Sequence, residues 1–249
     1  MGQPAERVVF VPGAASGIGR AAAEAFAARG WATVLAAMNA DAGEAVASDL
    51  SALGKCTFVQ CDVTDDDTVR DAVATAVRVY GRLDAAFNAA GIDGEHGRRT
   101  AECTMENWNR VMAVDLTGTF SSMRHEIPAI IASGGGSIVN CAAVAGLRAA
   151  ATVPAYSAAK HGVVGLTKTA ATEYGRDGLR INAICPGTVD TPMFRASMSP
   201  KLVERLTAMN PVGRVAEPSE IAEVALWLCD TAPGFLNGEV ITVDGGAGA

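Results

Sequence analysis

Tyr156 and Lys160 stand four apart in the run Tyr156-Ser157-Ala158-Ala159-Lys160, which has helix-forming spacing. Side chains at that spacing share one helix face, where an ammonium lowers the pKa of a neighbouring phenol and stabilises its phenolate. A tyrosine so placed is expected to exchange a proton near neutral pH. Well upstream lies a glycine-rich turn, Gly13-Ala14-Ala15-Ser16-Gly17-Ile18-Gly19. Gly13 permits a tight turn, while Gly17 and Gly19 let the backbone and the next helix approach a pyrophosphate, with the helix N-terminus facing the anion. A glycine loop is weak on its own and gains weight from following the first strand. The two features together point to redox chemistry on a nucleotide cofactor.

Positioning them requires an alternating α/β frame. Short apolar runs alternate with longer helical patterns, as in a parallel sheet covered on both faces. The expected strands are Val8 to Val11, Ala32 to Ala36, Thr57 to Gln60, Ala85 to Asn88, Ser137 to Asn140, Arg180 to Ile184 and Val240 to Val243. A helix from Arg20 to Arg29 ends at Gly30, and Val69, Val73 and Val77 mark a later one. Seven strands interleaved with helices predict a doubly wound Rossmann-type α/β fold. No repeat or linker divides residues 1–249, so a single domain is expected.

Composition narrows the function. The chain has 249 residues, 49% hydrophobic and 19% charged, enough to bury a large core. A net charge of −7 argues against nucleic acid, which needs clustered Lys and Arg. No apolar run is long enough to span a bilayer, and Met1-Gly2-Gln3-Pro4-Ala5-Glu6 lacks the pattern of a signal peptide, so no membrane partner and a cytoplasmic location are expected. Cys56, Cys61, Cys103, Cys141, Cys185 and Cys229 show no CxxC spacing and read as reduced, buried thiols; with dispersed His96, His125 and His161 they predict no metal site.

Several signatures then coincide in order: the glycine turn, Asp62-Val63, Asn88-Ala89-Ala90-Gly91, Tyr156 to Lys160, Pro186-Gly187 followed by Val189-Asp190-Thr191-Pro192-Met193, and Val243-Asp244-Gly245-Gly246. Over essentially its whole length the chain resembles a short-chain dehydrogenase/reductase. The resemblance implies seven parallel strands, a homotetramer and bound NAD or NADP. It places Gly13, Ser16, Gly17, Ile18 and Gly19 on the pyrophosphate side and Asp62 and Val63 at the adenine. Asn88, Ala90 and Gly91 would line the cofactor's middle, with Pro186, Gly187, Val189 and Thr191 at the nicotinamide. Tyr156 would be the acid/base, and Lys160 would bind the nicotinamide ribose as well as tune Tyr156.

The chain departs from that pattern in four places. Ala143 stands thirteen positions before Tyr156, where the family usually has a serine whose hydroxyl meets the substrate oxygen; Cys141 offers only a weak donor. Asp115 replaces a usual asparagine in the proton relay to the lysine, and as a carboxylate it favours the Lys160 ammonium and opposes a nearby phenolate. Pro12 replaces a threonine and suits only a strand end. Ala37 and Met38 occupy the positions where an acid selects NAD or an arginine selects NADP. With no cation evident for a 2′-phosphate, NAD is the expected preference, although Arg20 is near enough in sequence to reach inward.

A lid over about residues 188–212, apolar through Met193, Phe194, Met198, Leu202 and Met209, together with Gly146 to Pro154, predicts a partly apolar small-molecule alcohol or ketone, with Arg148 or Arg195 available to an anionic group. The leading reading is an NAD(P)-dependent oxidoreductase interconverting a secondary alcohol and a ketone. A cofactor-binding scaffold or sensor with little turnover is the alternative suggested by Ala143 and Asp115, and an epimerase or lyase-like chemistry shares the fold.

Overall fold

The first strand, β1 (Val8–Pro12), is buried along its full length, because it has helices on both sides. Val8 and Phe10 pack into one apolar layer and Val9 and Val11 into the other, as the alternation of side chains across a strand requires. The computed structural model describes residues 6–197 and 199–249.

After β1 come α1 (Gly17–Ala28), β2 (Ala32–Ala37), α2 (Ala40–Leu50), β3 (Cys56–Gln60), α3 (Asp66–Tyr80) and β4 (Ala85–Asn88). The second half runs through α4 (Met105–Val111), α5 (Gly118–Ala132), β5 (Gly136–Cys141), α6 (Pro154–Tyr174) and β6 (Leu179–Pro186). It ends with α7 (Pro192–Ser197), α8 (Pro200–Met209), α9 (Pro218–Asp230) and β7 (Val240–Val243). All seven strands are parallel, in the order β3-β2-β1-β4-β5-β6-β7. This is the doubly wound sheet expected from the apolar runs, and the expected strands differ from the observed ones only at their ends.

Val69, Ala72, Val73 and Ala76 of α3 and Met123, Ile127 and Ile130 of α5 cover one face. Ala22, Ala23 and Phe26 of α1 and Ile221, Ala225 and Leu228 of α9 cover the other. Chain order reverses between β1 and β4, so a crevice opens at their carboxyl ends, where such folds bind ligands. Pro12 is the last residue of β1, paired with Ala36, so its missing N–H is tolerated.

A buried polar chain ties the sheet to α5 and α6. Asn88 Nδ2 of β4 donates to Glu126 Oε2 of α5 at 3.0 Å and to Asn140 Oδ1 of β5 at 2.9 Å. Asn140 Nδ2 donates to Thr167 Oγ1 of α6 at 2.9 Å. Through Asn140 and Thr167 the network ties α6 to the strand ends. Among the described residues no helix is long and apolar enough to cross a membrane.

Candidate active site

The site assembles where β4, β5 and β6 end. Tyr156 and Lys160 project from the first turns of α6, and Ser157 between them donates to Ala145 O at 3.0 Å, holding the helix start against the loop after β5. Lys160 is enclosed: Nζ donates to Cys141 O at 3.1 Å, lies 3.3 Å from Asp115 Oδ2 and sits 5.5 Å from the Tyr156 ring centroid. Asp115 is fully buried on a π-helical turn, Met112–Thr117, and its Oδ1 accepts the Ile92 N–H at 2.8 Å. π turns occur mostly at functional positions, and nothing in the residue types of this segment announced one.

The charges correct one expectation. Burial, the largest influence, pushes the Tyr156 phenol well above the ordinary value; Lys160 pulls it down without cancelling that, and Asp115 and Asp93 push further up. Burial draws Lys160 down, but Asp115 and Tyr156 more than restore it, so the ammonium is held above the usual lysine range. Asp115 is itself raised by burial against the pull of Lys160. The near-neutral phenolate read from the four-residue spacing therefore does not follow: enclosure costs the phenolate more than an already paired ammonium returns. Tyr156 keeps its proton, which is the form that protonates a carbonyl oxygen. Asp115→Asn is expected to move the basic limb of the ketone-reduction pH profile to lower pH, since one charge opposing the phenolate is gone; coincident limbs for parent and variant would overturn this.

A cavity of about 520 Å³ opens above the pair. Ile18, Gly91, Asp115, Ala143, Tyr156, Lys160, Pro186, Gly187, Val189 and Thr191 all line it, so residues scattered from 18 to 191 meet there. Met193, Phe194 and Leu202 of α7 and α8 close one side; Met209 is 66% exposed and takes no part, and Met198 lies outside the described residues.

Other expected residues lie outside this cavity. The Asn88 side chain turns into the core network instead of the crevice. Asp62 Oδ1 accepts from the Thr64 N–H and hydroxyl at the end of β3, with Val63 against Gly118. Arg20 points outward to Asp49, Arg195 pairs twice with Asp190 at 2.6 Å, and Arg148 bonds Ala247 O and Asp244, so none supplies a cation to the cavity. Of the cysteines, Cys61, Cys185 and Cys229 are buried and the other three only partly so; all are unpaired.

The glycine turn fits a dinucleotide. Gly13 has φ +83°, and a Cβ there would fall 2.6 Å from Ala90 N, so only glycine lets β1 and the loop after β4 draw together into a groove. That groove leads from the N-terminus of α1 to Gly91, where a Cβ would press on Lys160 Nζ and Asp115. A pyrophosphate at the helix N-terminus and a pyridine ring above Pro186 to Thr191 suit these donors and surfaces. Bound there, a nicotinamide dinucleotide supplies the hydride donor or acceptor.

Two features escaped the sequence reading. His96 and Asp93 also line the cavity. Thr152, four residues before Tyr156 and on the same wall, has φ +67°, the sole positive value outside glycine among the described residues. A β-branched residue there is strained by about 1–2 kcal/mol, and no threonine advertises that in sequence. Thr152→Gly is expected to stabilise the fold by about 0.5–1 kcal/mol after glycine's entropy is subtracted; a fall in the urea midpoint would show that side-chain contacts dominate.

These positions define a class: an α/β dinucleotide-fold enzyme with a tyrosine acid beside a lysine. Residues 13–248 match the family described as Enoyl-(Acyl carrier protein) reductase. The chain is 40% identical over 240 residues to cyclohexanol dehydrogenase of Acinetobacter sp. (strain SE19), covering 96% of this chain and 94% of that one. It is 40% identical over 243 residues to 2,5-dichloro-2,5-cyclohexadiene-1,4-diol dehydrogenase of Sphingobium indicum, covering 96% of each. Among solved structures, levodione reductase superposes with a TM-score of 0.94 at 35% identity over 98% of both chains. Actinorhodin polyketide ketoreductase with NADPH gives 0.93 at 32%, covering 100% and 99%. The chain belongs to the short-chain dehydrogenase/reductase family and is an NAD(P)-dependent oxidoreductase acting between alcohol and ketone.

Proposed function

We infer that the substrate is a secondary alcohol or ketone on a six-membered carbocycle. The observation that carries this is the cavity itself: apart from Tyr156 and a few polar side chains, its wall is built of Ala142, Ala143, Val153, Met193, Phe194 and Leu202, which favours a compact hydrocarbon ring. The ring alcohols named in the curated relatives support the same class. In reduction, Tyr156 gives its proton to the developing alkoxide oxygen while Lys160, held by Asp115 and Cys141 O, offsets the charge left on the phenol. In oxidation the proton returns from the alcohol to the same oxygen.

The preferred dinucleotide on this reading is NAD. Position 38 presents an exposed Met, and Arg20 is committed to Asp49, so neither of these positions offers a cation to a 2′-phosphate. A homotetramer is supported by an apolar groove between α5 and α6, where Phe120, Ile127, Ile131 and Leu166 meet and Phe120 is half exposed. Six unpaired thiols favour a reducing compartment such as the cytoplasm.

Incubation with cyclohexanol and NAD, or with cyclohexanone and NADH, tests the assignment by absorbance of the reduced nicotinamide. Turnover of either supports it. Ala143 favours a second reading, a nucleotide-binding scaffold, and saturable NADH binding with no turnover even after serine is restored at 143 would establish that instead. Tighter binding of NADPH than NADH would overturn the cofactor preference.

A further inference from the structure

Away from Asp115, Tyr156, Lys160 and three threonines the cavity wall is largely apolar, and where the loop after β4 enters it two side chains form a pair that the hydride chemistry does not use. Asp93 Oδ2 lies 3.3 Å from His96 Nε2, and both residues line the cavity beside Tyr156. The same Oδ2 accepts the Ser197 hydroxyl at 3.0 Å, so the pair is clasped to the last turn of α7, whose Met193 and Phe194 form the adjoining wall. The loop is anchored on both sides of the pair. The Ile92 N–H donates to Asp115 at 2.8 Å, and the Glu95 N–H donates to Asn107 Oδ1 at 2.9 Å. The carboxylate and imidazole are therefore held in place by the fold.

Their remaining atoms are acceptors. Asp93 Oδ1 and His96 Nδ1 have no hydrogen-bond partner among the described residues, and in the neutral tautomer with Nε2–H directed to Asp93 the other ring nitrogen carries a lone pair. Their side chains are 19% and 33% exposed, so a ligand that fills the cavity strips water from both and has to act as their new partner. That partner must bring a hydrogen, because an anion would face Asp93 and Asp115 together, while Lys160 is already paired and Arg148 and Arg195 are occupied elsewhere.

Resting on the ring-alcohol reading above, we propose that Asp93 and His96 recognise a second hydroxyl on the substrate, away from the reacting carbon, so that the enzyme selects ring diols and hydroxyketones over rings with a single oxygen. A site that accepts a hydroxyl favours ligands that bring one, since its half-buried acceptors gain a partner that analogues without that hydrogen do not supply.

Calorimetric titration of the protein saturated with NADH isolates recognition from turnover, using cyclohexane-1,4-diol, cyclohexanol and 4-methoxycyclohexanol. The ether keeps the oxygen and removes its hydrogen. The diol is expected to bind roughly tenfold or more tightly than either of the others, about one hydrogen bond's worth of affinity. In His96→Phe and Asp93→Asn that advantage is expected to fall to about twofold or less, and Phe235→Ala, fully exposed and outside the cavity, serves as a control that keeps it. Equal binding of diol and ether, or an advantage that survives both variants, would overturn the proposal. If none of the three binds although NADH does, the ring-alcohol reading fails and takes this inference with it; if all three bind alike, only the inference fails.

Discussion

Ala143→Ser is expected to raise kcat by roughly 10²–10³, equivalent to about 2.7–4 kcal/mol of transition-state stabilisation from one added donor. Ala143 follows the end of β5, is 7% exposed, and lines the cavity with Tyr156. Lys160 Nζ is turned to Cys141 O and Asp115, which leaves the Tyr156 hydroxyl to act as the proton donor to the reacting oxygen. A serine hydroxyl would give that oxygen a second donor, strengthening as charge develops. The gain should therefore appear in kcat and kcat/KM together, with KM little changed, the signature of an interaction made mainly in the transition state. A rise confined to a lower KM, or no rise at all, would show that the hydroxyl at this position does not reach the reacting oxygen.

The second large effect concerns Glu126, which no chemical step uses. It is completely buried beneath Asn88, and burial raises its carboxyl from 4.5 to about 8 against the hydrogen bond from Asn88. Glu126 Oε1 and Asn88 Oδ1 are both buried acceptors without partners, and protonation of Glu126 removes the charge that burial penalises. The folded state therefore holds a proton that the unfolded chain releases above its ordinary value. Because the folded pKa is the higher one, this contribution is complete below about 4.5 and is lost as pH rises through about 8. At about 1.4 kcal/mol per pH unit, it amounts to on the order of 5 kcal/mol in full. Urea unfolding at about pH 6 and about pH 9 should show the parent losing roughly 3 kcal/mol more than Glu126→Gln, whose amide carries its hydrogen at every pH. Parallel losses would mean that Glu126 is ionised in the core. Since Asn88 also joins Asn140 and, through it, Thr167 of α6, alkaline weakening should loosen the helix that carries Tyr156 and Lys160.

Much of this was legible in residue order. The strands are continuous apolar runs because each is buried on both faces, and Gly13 to Gly19 and Tyr156 to Lys160 announce themselves because local backbone geometry and helix periodicity are properties of short segments. Ala143, Asp115 and Pro12 could be recognised as departures for the same reason, by position within a local pattern. What the chain did not disclose depends on packing between distant segments. The four-residue spacing placed an ammonium beside a phenol, yet the balance of burial against charge that keeps Tyr156 protonated arises only when Asp115 and Asp93 are brought in from other loops. Arg148 and Arg195 offered charge that Asp244 and Asp190 then claimed. Asn88 faced inward once Glu126 was beneath it, and His96 changed from one of three scattered histidines to a cavity residue when the loop after β4 was pinned by Asp115 and Asn107. Electrostatic energy and hydrogen-bond partnership depend on distance and enclosure, which are set by the folded arrangement and not by separation along the chain.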